Sequence, residues 1–252
     1  MKSILNFNDP VLEPFKSLRY QKKSFIAEGV KVIGSLIDSP IEIKAILTLK
    51  KYLPQLPESV RDRLFLADES IMEQIIGYRM HQGIMALALI PPERPLDELT
   101  GPAIALNGLA NAENVGAIMR NAAAFGINNI IYDGACSPPY LRRTVKTCMG
   151  AVFNMNCFGV ESLESAFTIM KGRGYTILGA DPHEANIRLN EIAISSPYAL
   201  VIGSEGMGME EPVKAACDKL FKIPISPDID SLNAAAASAI SLYVLQSNFT
   251  RS

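Results

Sequence analysis

The chain has 252 residues, 48% of them hydrophobic and 20% charged, which is enough apolar material for one large or two modest domains and too much for a disordered polypeptide. Mean hydropathy is +0.16, yet no apolar run has the length to cross a bilayer. Four scattered cysteines without a CxxC pair fit a reducing compartment, and a net charge of −2 makes any nucleic-acid role depend on local basic patches rather than on the total.

The opening "MKSILNFNDP" lacks a secretory core followed by a small-residue cleavage site, so a cytoplasmic location is expected. Next, "FKSLRYQKKS" gathers Lys16, Arg19, Lys22 and Lys23, either a solvated helix face or a set of phosphate contacts. Short strands and helices then alternate. "SFIAEG" is predicted as a strand, "VKVIGSLID" as a helix and "EIKAILTL" as a strand. "RLFLAD" follows as a strand, "ESIMEQIIG" as a helix and "GIMALALI" as a strand. The proline- and charge-rich "PPERPLDELTGP" reads as a linker, dividing residues 1–95 from 96–252.

Beyond it, the strand "AIALNGL" leads into a helix over "NAENVGAIMRNAAAFG", with Asn111 as a candidate cap and Gly126 as its left-handed terminator. Arg120 lies there among Ala117, Ile118, Met119, Ala122 and Ala123, which suggests a buried or interface face. It then needs an anionic partner, Glu113 or a ligand phosphate. "NNIIYDG" is a strand, "YLRRTVKTCMGA" a basic helix and "VFNMNCF" a strand. "ESLESAFTIMKGRG" is a helix, and "YTILGAD" and "PYALVIG" are strands. The last strand enters "SEGMGMEE", where Glu205 is held between glycines that permit close approach to a ligand. A helix over "EEPVKAACD", a strand "FKIPIS" and a C-terminal helix over "SLNAAAASAISLYVLQS" complete the chain, with Ser231 or Asp230 expected to cap that helix and Asn233 in its first turn. Continuous apolar strands alternating with helices predict a parallel sheet covered on both faces, with ligands beyond the carboxyl ends of its strands.

His81 and His183 are far apart with no metal-ligand partners, so neither a metal site nor Ser–His–Asp chemistry is expected. The glycine loops are neither a Walker loop nor the dinucleotide GxGxxG after a first strand, which argues against a nicotinamide-dependent dehydrogenase.

Each loop alone admits a structural reading. Together, "NAENVGAIMRNAAAFG", "LVIGSEGMGM" and "IPISPDIDSLNAAAASAISLY" resemble the SpoU (TrmH) family of RNA ribose 2′-O-methyltransferases, in the SPOUT superfamily, over essentially Ala103 to Ser247. "FIAEGVKVIGSL" and "HQGIMALAL" make the first part similar to an L30e-like substrate-binding domain. Two stretches depart from the family pattern. Motif one opens "NA" where aspartate-proline is usual, and "RTVKTCMGAVF" replaces a run of smaller residues.

The resemblance implies an α/β fold, an L30e-like α/β/α domain followed by a SPOUT-type parallel sheet with a C-terminal trefoil knot, a topology that no strand pattern foretells. It implies S-adenosyl-L-methionine bound in the knot at Gly203, Ile223 and Leu232, with the loop from Leu178 to Ala180 lining the same pocket. It implies a homodimer with the active site at the subunit boundary. It implies an active-site group of Asn114, Arg120, Glu205, Ser231 and Asn233, with Arg120 at the ribose and phosphate of the target nucleotide. Methyl transfer from a sulfonium needs mainly alignment and charge stabilisation. An L30e-like appendage favours structured RNA, ribosomal rather than transfer. The alternative class is an RNA-binding or ribosome-assembly protein that has lost catalysis.

Overall fold

A computed structural model describes residues 2–4, 6–16, 23–76, 83–194 and 196–249. The chain folds into two compact units, residues 1–92 with 140–154, and residues 93–139 with 155–252. It therefore leaves the second unit after residue 139 to complete the first, an excursion that the linker signal did not reveal.

The first unit contains strand β1 (Lys2–Ser3), helix α1 (Glu13–Lys16), β2 (Ser24–Glu28), α2 (Val30–Ile37), β3 (Ile43–Thr48), β4 (Leu64–Leu66), α3 (Glu69–Ile76) and β5 (Ile84–Leu89). Its sheet runs β1-β4-β3-β5-β2 and is mixed, since β5 pairs antiparallel with both β2 and β3 while β3 and β4 are parallel. Leu12, Phe15, Ile26, Leu47, Met72 and Met85 pack as one buried cluster on it.

In the second unit, β6 (Ala103–Leu106), α4 (Ala112–Ala124) and β7 (Asn129–Asp133) form the first strand–helix–strand turn of the parallel sheet. The excursion follows, with α5 (Arg142–Thr147) and a 3₁₀ turn over Ala151–Asn154. Then come β8 (Asn156–Val160), α6 (Leu163–Gly172), β9 (Thr176–Ala180), β10 (Ile187–Arg188), β11 (Tyr198–Ile202), α7 (Glu211–Ala215), β12 (Lys219–Lys222) and α8 (Ala234–Phe249). The strand order is β10-β12-β9-β11-β6-β7-β8, and every pair is parallel. All residues of β6 and β11 are buried, as expected for central strands covered on both faces.

Four local expectations from the sequence are corrected. "VFN" closes a 3₁₀ turn and the strand begins only at Asn156. The strand expected over "FKIPIS" is Lys219–Lys222, because Pro224 cannot donate to a ladder. Leu178 to Ala180 is the end of β9, not a loop. The final helix is capped by Asn233, not by Asp230 or Ser231.

In the excursion, Phe25 of β2 meets the rings of Tyr140 and Phe153 at 5.1 and 5.7 Å. Glu28 at the end of β2 accepts a 2.6 Å hydrogen bond from Arg142 and lies 3.0 Å from the Lys146 ammonium. Burial pushes the Glu28 carboxyl up, but these two cations outweigh it and hold the group below its ordinary value. Two members of the basic helix are thus tied to a protein carboxylate. Arg19 and Lys22, in the other expected basic patch, lie outside the described residues, as does His81.

Candidate active site

Helix α4 begins where the sequence placed it. Asn111 caps it, its side chain accepting from the Glu113 N–H at 2.8 Å, and Gly126 leaves it at φ +75°. Val115, Ile118, Met119 and Ala122 form its buried stripe. Asn114 and Asn121 are seven residues apart and therefore face the same way, and both bond to the start of α8. Asn121 donates to the Ala235 carbonyl at 2.9 Å and to the Ser238 hydroxyl at 3.0 Å. Further along, the Gln246 amide of α8 donates to the Phe125 carbonyl at 2.8 Å.

Asn233 is the junction of the three motifs. Its Oδ1 accepts from the Ala235 and Ala236 N–H groups at 2.9 and 3.3 Å, capping α8. Its Nδ2 donates to Oδ1 of Asn114 at 3.0 Å and also to the Glu205 carboxylate. Asn114 is buried, whereas Glu205 and Asn233 are exposed.

Glu205 sits in a loop that closes on itself. Ser204 and Gly208 exchange two backbone hydrogen bonds of 2.9 Å, and a Cβ on Gly203 would lie 2.3 Å from the backbone of Gly208 and Met209. Glycine is therefore required at 203 by close approach of the chain to itself. Beside this loop lies a cleft of about 220 Å³ at the carboxyl ends of β9, β11 and β12, lined by Ala180, Gly203, Glu205, Ile223, Ser231 and Leu232 among others. The expected cofactor residues Gly203, Ile223 and Leu232 thus share one wall system, as does Ser231. Of the stretch from Leu178 to Ala180, Ala180 lines the cleft, and Leu178 is fully buried in the core.

Arg120 is the exception. It is exposed, and no described residue forms a hydrogen bond or ion pair with it, Glu113 included. Of the neighbours that suggested burial, Ile118, Met119 and Ala122 fill the buried stripe, whereas Ala117 and Ala123, three residues either side, share the face of Arg120 and Ala123 is exposed with it.

The sequence reading missed the acidic corner of the cleft. Asp181 accepts from the N–H groups of His183 and Glu184, each at 2.8 Å. Lys214 lies 3.5 Å from Asp181, 2.6 Å from Glu184 and 3.4 Å from Glu211. Burial pushes Asp181 up, but the two N–H donors and Lys214 outweigh it and hold the carboxyl low. The hydrogen bond to Glu184 leads the causes that raise Lys214. A polar residue just past an apolar parallel strand was the available signal. No cluster of metal-binding side chains occurs among the described residues, and no described helix is long and apolar enough to cross a membrane. All four cysteines are free thiols, and burial pushes Cys136 and Cys217 up to about 12, which keeps them protonated.

The sequence profile of the SpoU rRNA Methylase family matches residues 101–243, spanning β6 to most of α8. The chain belongs to the SpoU rRNA methylase family. Similar proteins include an uncharacterized tRNA/rRNA methyltransferase of Mycobacterium bovis, 26% identical over 96% of this chain and 91% of its own. The 23S rRNA (guanosine-2′-O-)-methyltransferase RlmB of a Burkholderia species is 30% identical over 75% of this chain and 78% of its own. Among solved structures, an rRNA methyltransferase from Sinorhizobium meliloti superposes with TM-score 0.86 at 22% identity, covering 97% of both chains. The SpoU methyltransferase AviRb from Streptomyces viridochromogenes, in complex with AdoMet, gives TM-score 0.83 at 21% identity, covering 95% of this chain and 98% of its own. These superpositions establish the SpoU fold for the mixed α/β chain.

Proposed function

We propose that this chain transfers the methyl group of S-adenosyl-L-methionine to a ribose 2′-hydroxyl of structured RNA, with ribosomal RNA as the favoured substrate. One observation carries the reading: Asn114, Glu205 and Asn233, drawn from three separate motifs, meet beside a cleft at the carboxyl ends of parallel strands. The residues present fit the cofactor. Ala180, Ile223 and Leu232 offer aliphatic surface for a nucleobase, and Glu205 and Glu184 offer negative charge to a cationic ligand. Lys214 is already engaged by three carboxylates, which makes the corner a poor host for a pyrophosphate and disfavours a dinucleotide. When bound there, S-adenosylmethionine supplies a methyl group already activated on a sulfonium.

The protein's part is alignment and charge. Glu205, its position fixed by Asn233, would orient the ribose, and Asn114 would hold Asn233 in place. Ser231 would shape the cleft wall. Arg120, with no partner among the described residues, would grip a substrate phosphate and stabilise the negative charge left on the ribose oxygen as its proton passes to solvent water, the methyl–sulfur bond breaking to a neutral thioether as the oxygen–methyl bond forms. Guanidinium remains protonated, so a positioning and electrostatic role suits it better than that of a base.

The same reading includes a homodimer whose active site is shared between two copies. Exposed Arg120 supports it, as do Ile240 and Tyr243, 40% and 65% exposed on one stripe of α8. It also includes the trefoil knot, supported by the path from β12 past the Gly203–Gly208 loop to α8, with both segments lining one cleft. The first unit would be the RNA-binding domain of L30e type, and the cytoplasm the place of action. The 23S rRNA activity for which RlmB is named supports ribosomal RNA, while the mycobacterial relative, named for both RNAs, keeps transfer RNA as the second reading.

The test is calorimetric titration with S-adenosylmethionine, followed by incubation with labelled donor and separate ribosomal and transfer RNA. Binding with label in ribosomal RNA is expected. Label in transfer RNA alone overturns the substrate, and absence of binding overturns the enzyme in favour of an RNA-binding protein. Arg120→Ala should fold normally and lose about 10²-fold or more in turnover. Near-normal turnover would remove Arg120 from the mechanism.

A further inference from the structure

Asn107 stands immediately after β6 and is only 2% exposed. Its backbone N–H donates to the Ile202 carbonyl at 3.0 Å, at the point where β11 enters the Glu205 loop. Its side-chain Oδ1 accepts from the Glu210 N–H at 2.7 Å, where the chain leaves that loop. One residue of a neighbouring strand thus holds both stems of residues 203–209. Its orientation is itself fixed, because Nδ2 donates to Oδ2 of Asp133 at 2.8 Å. Asp133 also accepts from the N–H groups of Gly108 at 2.9 Å and Ala135 at 3.0 Å. The amide therefore cannot flip without placing its oxygen against a carboxylate and its NH₂ against an N–H.

We propose that Asn107, oriented by Asp133, is a positioning residue for the methyl-transfer site: it clamps both ends of the Glu205 loop and so sets the cleft wall and the reach of Glu205 to Asn233. The proposal rests on the methyltransferase reading. The loop's other hydrogen bonds among the described residues are the paired Ser204–Gly208 backbone bonds and those of the Ser204 hydroxyl, all local, and the Asn233–Glu205 contact, while Met209 packs into the core. The local bonds keep the loop's shape. The Asn107 clamp relates that shape to β6 and hence to α4, which carries Asn114.

The contact can be removed from either side to test it. Asn107→Asp keeps an acceptor for the Glu210 N–H but sets a carboxylate against Asp133. Asn107→Leu removes both side-chain bonds and leaves the backbone bond to Ile202 in place. Glu210→Pro breaks the contact from the other side, replacing the N–H with a ring carbon that displaces the Asn107 oxygen, at a residue whose φ of −62° already suits proline. Calorimetric titration with S-adenosylmethionine, run well below each variant's Tm, is the readout. Asn107→Asp and Glu210→Pro should each weaken binding about tenfold, consistent with loss of one part-buried hydrogen bond. Asn107→Leu should weaken it at least as much. Folded Glu210→Pro or Asn107→Leu with wild-type affinity would overturn the clamp while leaving the enzyme intact. Wild-type protein that binds no S-adenosylmethionine would overturn both.

Discussion

Asn233 uses both ends of its amide, the oxygen to cap α8 and the nitrogen to hold Glu205 and Asn114. The two roles can be separated. Asn233→Asp keeps a good capping oxygen and replaces the donor with a carboxylate facing Glu205. Its Tm should stay near wild type while methyl transfer falls at least about tenfold, because a charge-assisted hydrogen bond becomes a like-charge contact. Methyl transfer at the wild-type rate in that variant would show that the Glu205 contact is incidental. The sequence showed Asn233 to be more polar than its alanine-rich helix needs, but not that it is the cap. Ser231, Asp230 and Asn233 are all competent capping residues, and the helix start is chosen by the partner that Asn114 offers on another helix.

Between elements, α4 and α8 are joined by side-chain amides at three levels: Asn114 with Asn233, Asn121 with Ala235 and Ser238, and Phe125 with Gln246. Asn121→Ala should lose about 1–2 kcal/mol in denaturant unfolding, since two part-buried acceptors lose their donor. A loss below about 0.5 kcal/mol would mean that packing alone aligns the helices. The link between β2 and α5 titrates instead. Glu28 is held low in the folded chain, so its contribution is present above the ordinary glutamate pKa and disappears as pH falls through the lowered value. Glu28→Gln should cost about 1–3 kcal/mol at neutral pH and show a shallower further loss on acidification than wild type. Equal acid slopes in both proteins would contradict the assignment. Most elements were legible because apolar periodicity and glycine or proline punctuation agree there, as in α4, β11 and β9. The register of β12 was not, because "KLFK" is short and half exposed while "FKIPIS" looks more apolar.

For the whole molecule, the parallel sheet and its ligand edge could be read from alternating strands and helices, and the three motifs carried the family. The excursion of residues 140–154 could not be read. Tyr140 and Phe153 look like any core aromatics, and only the folded chain shows them against Phe25. Residues 1–95 expressed alone should therefore expose the apolar surface around Phe25 and populate aggregated or partly folded species. Fusing residues 140–154 to that fragment should restore a cooperative thermal transition, and a sharp transition in residues 1–95 alone would refute this. A polypeptide made from its N-terminus meets the same requirement in time. Most of the first unit emerges from the ribosome early, but its aromatic closure waits on a segment made after β6, α4 and β7. The N-terminal unit then cannot finish folding before the second has begun, and nascent chains stalled short of residue 154 should be protease-sensitive in both.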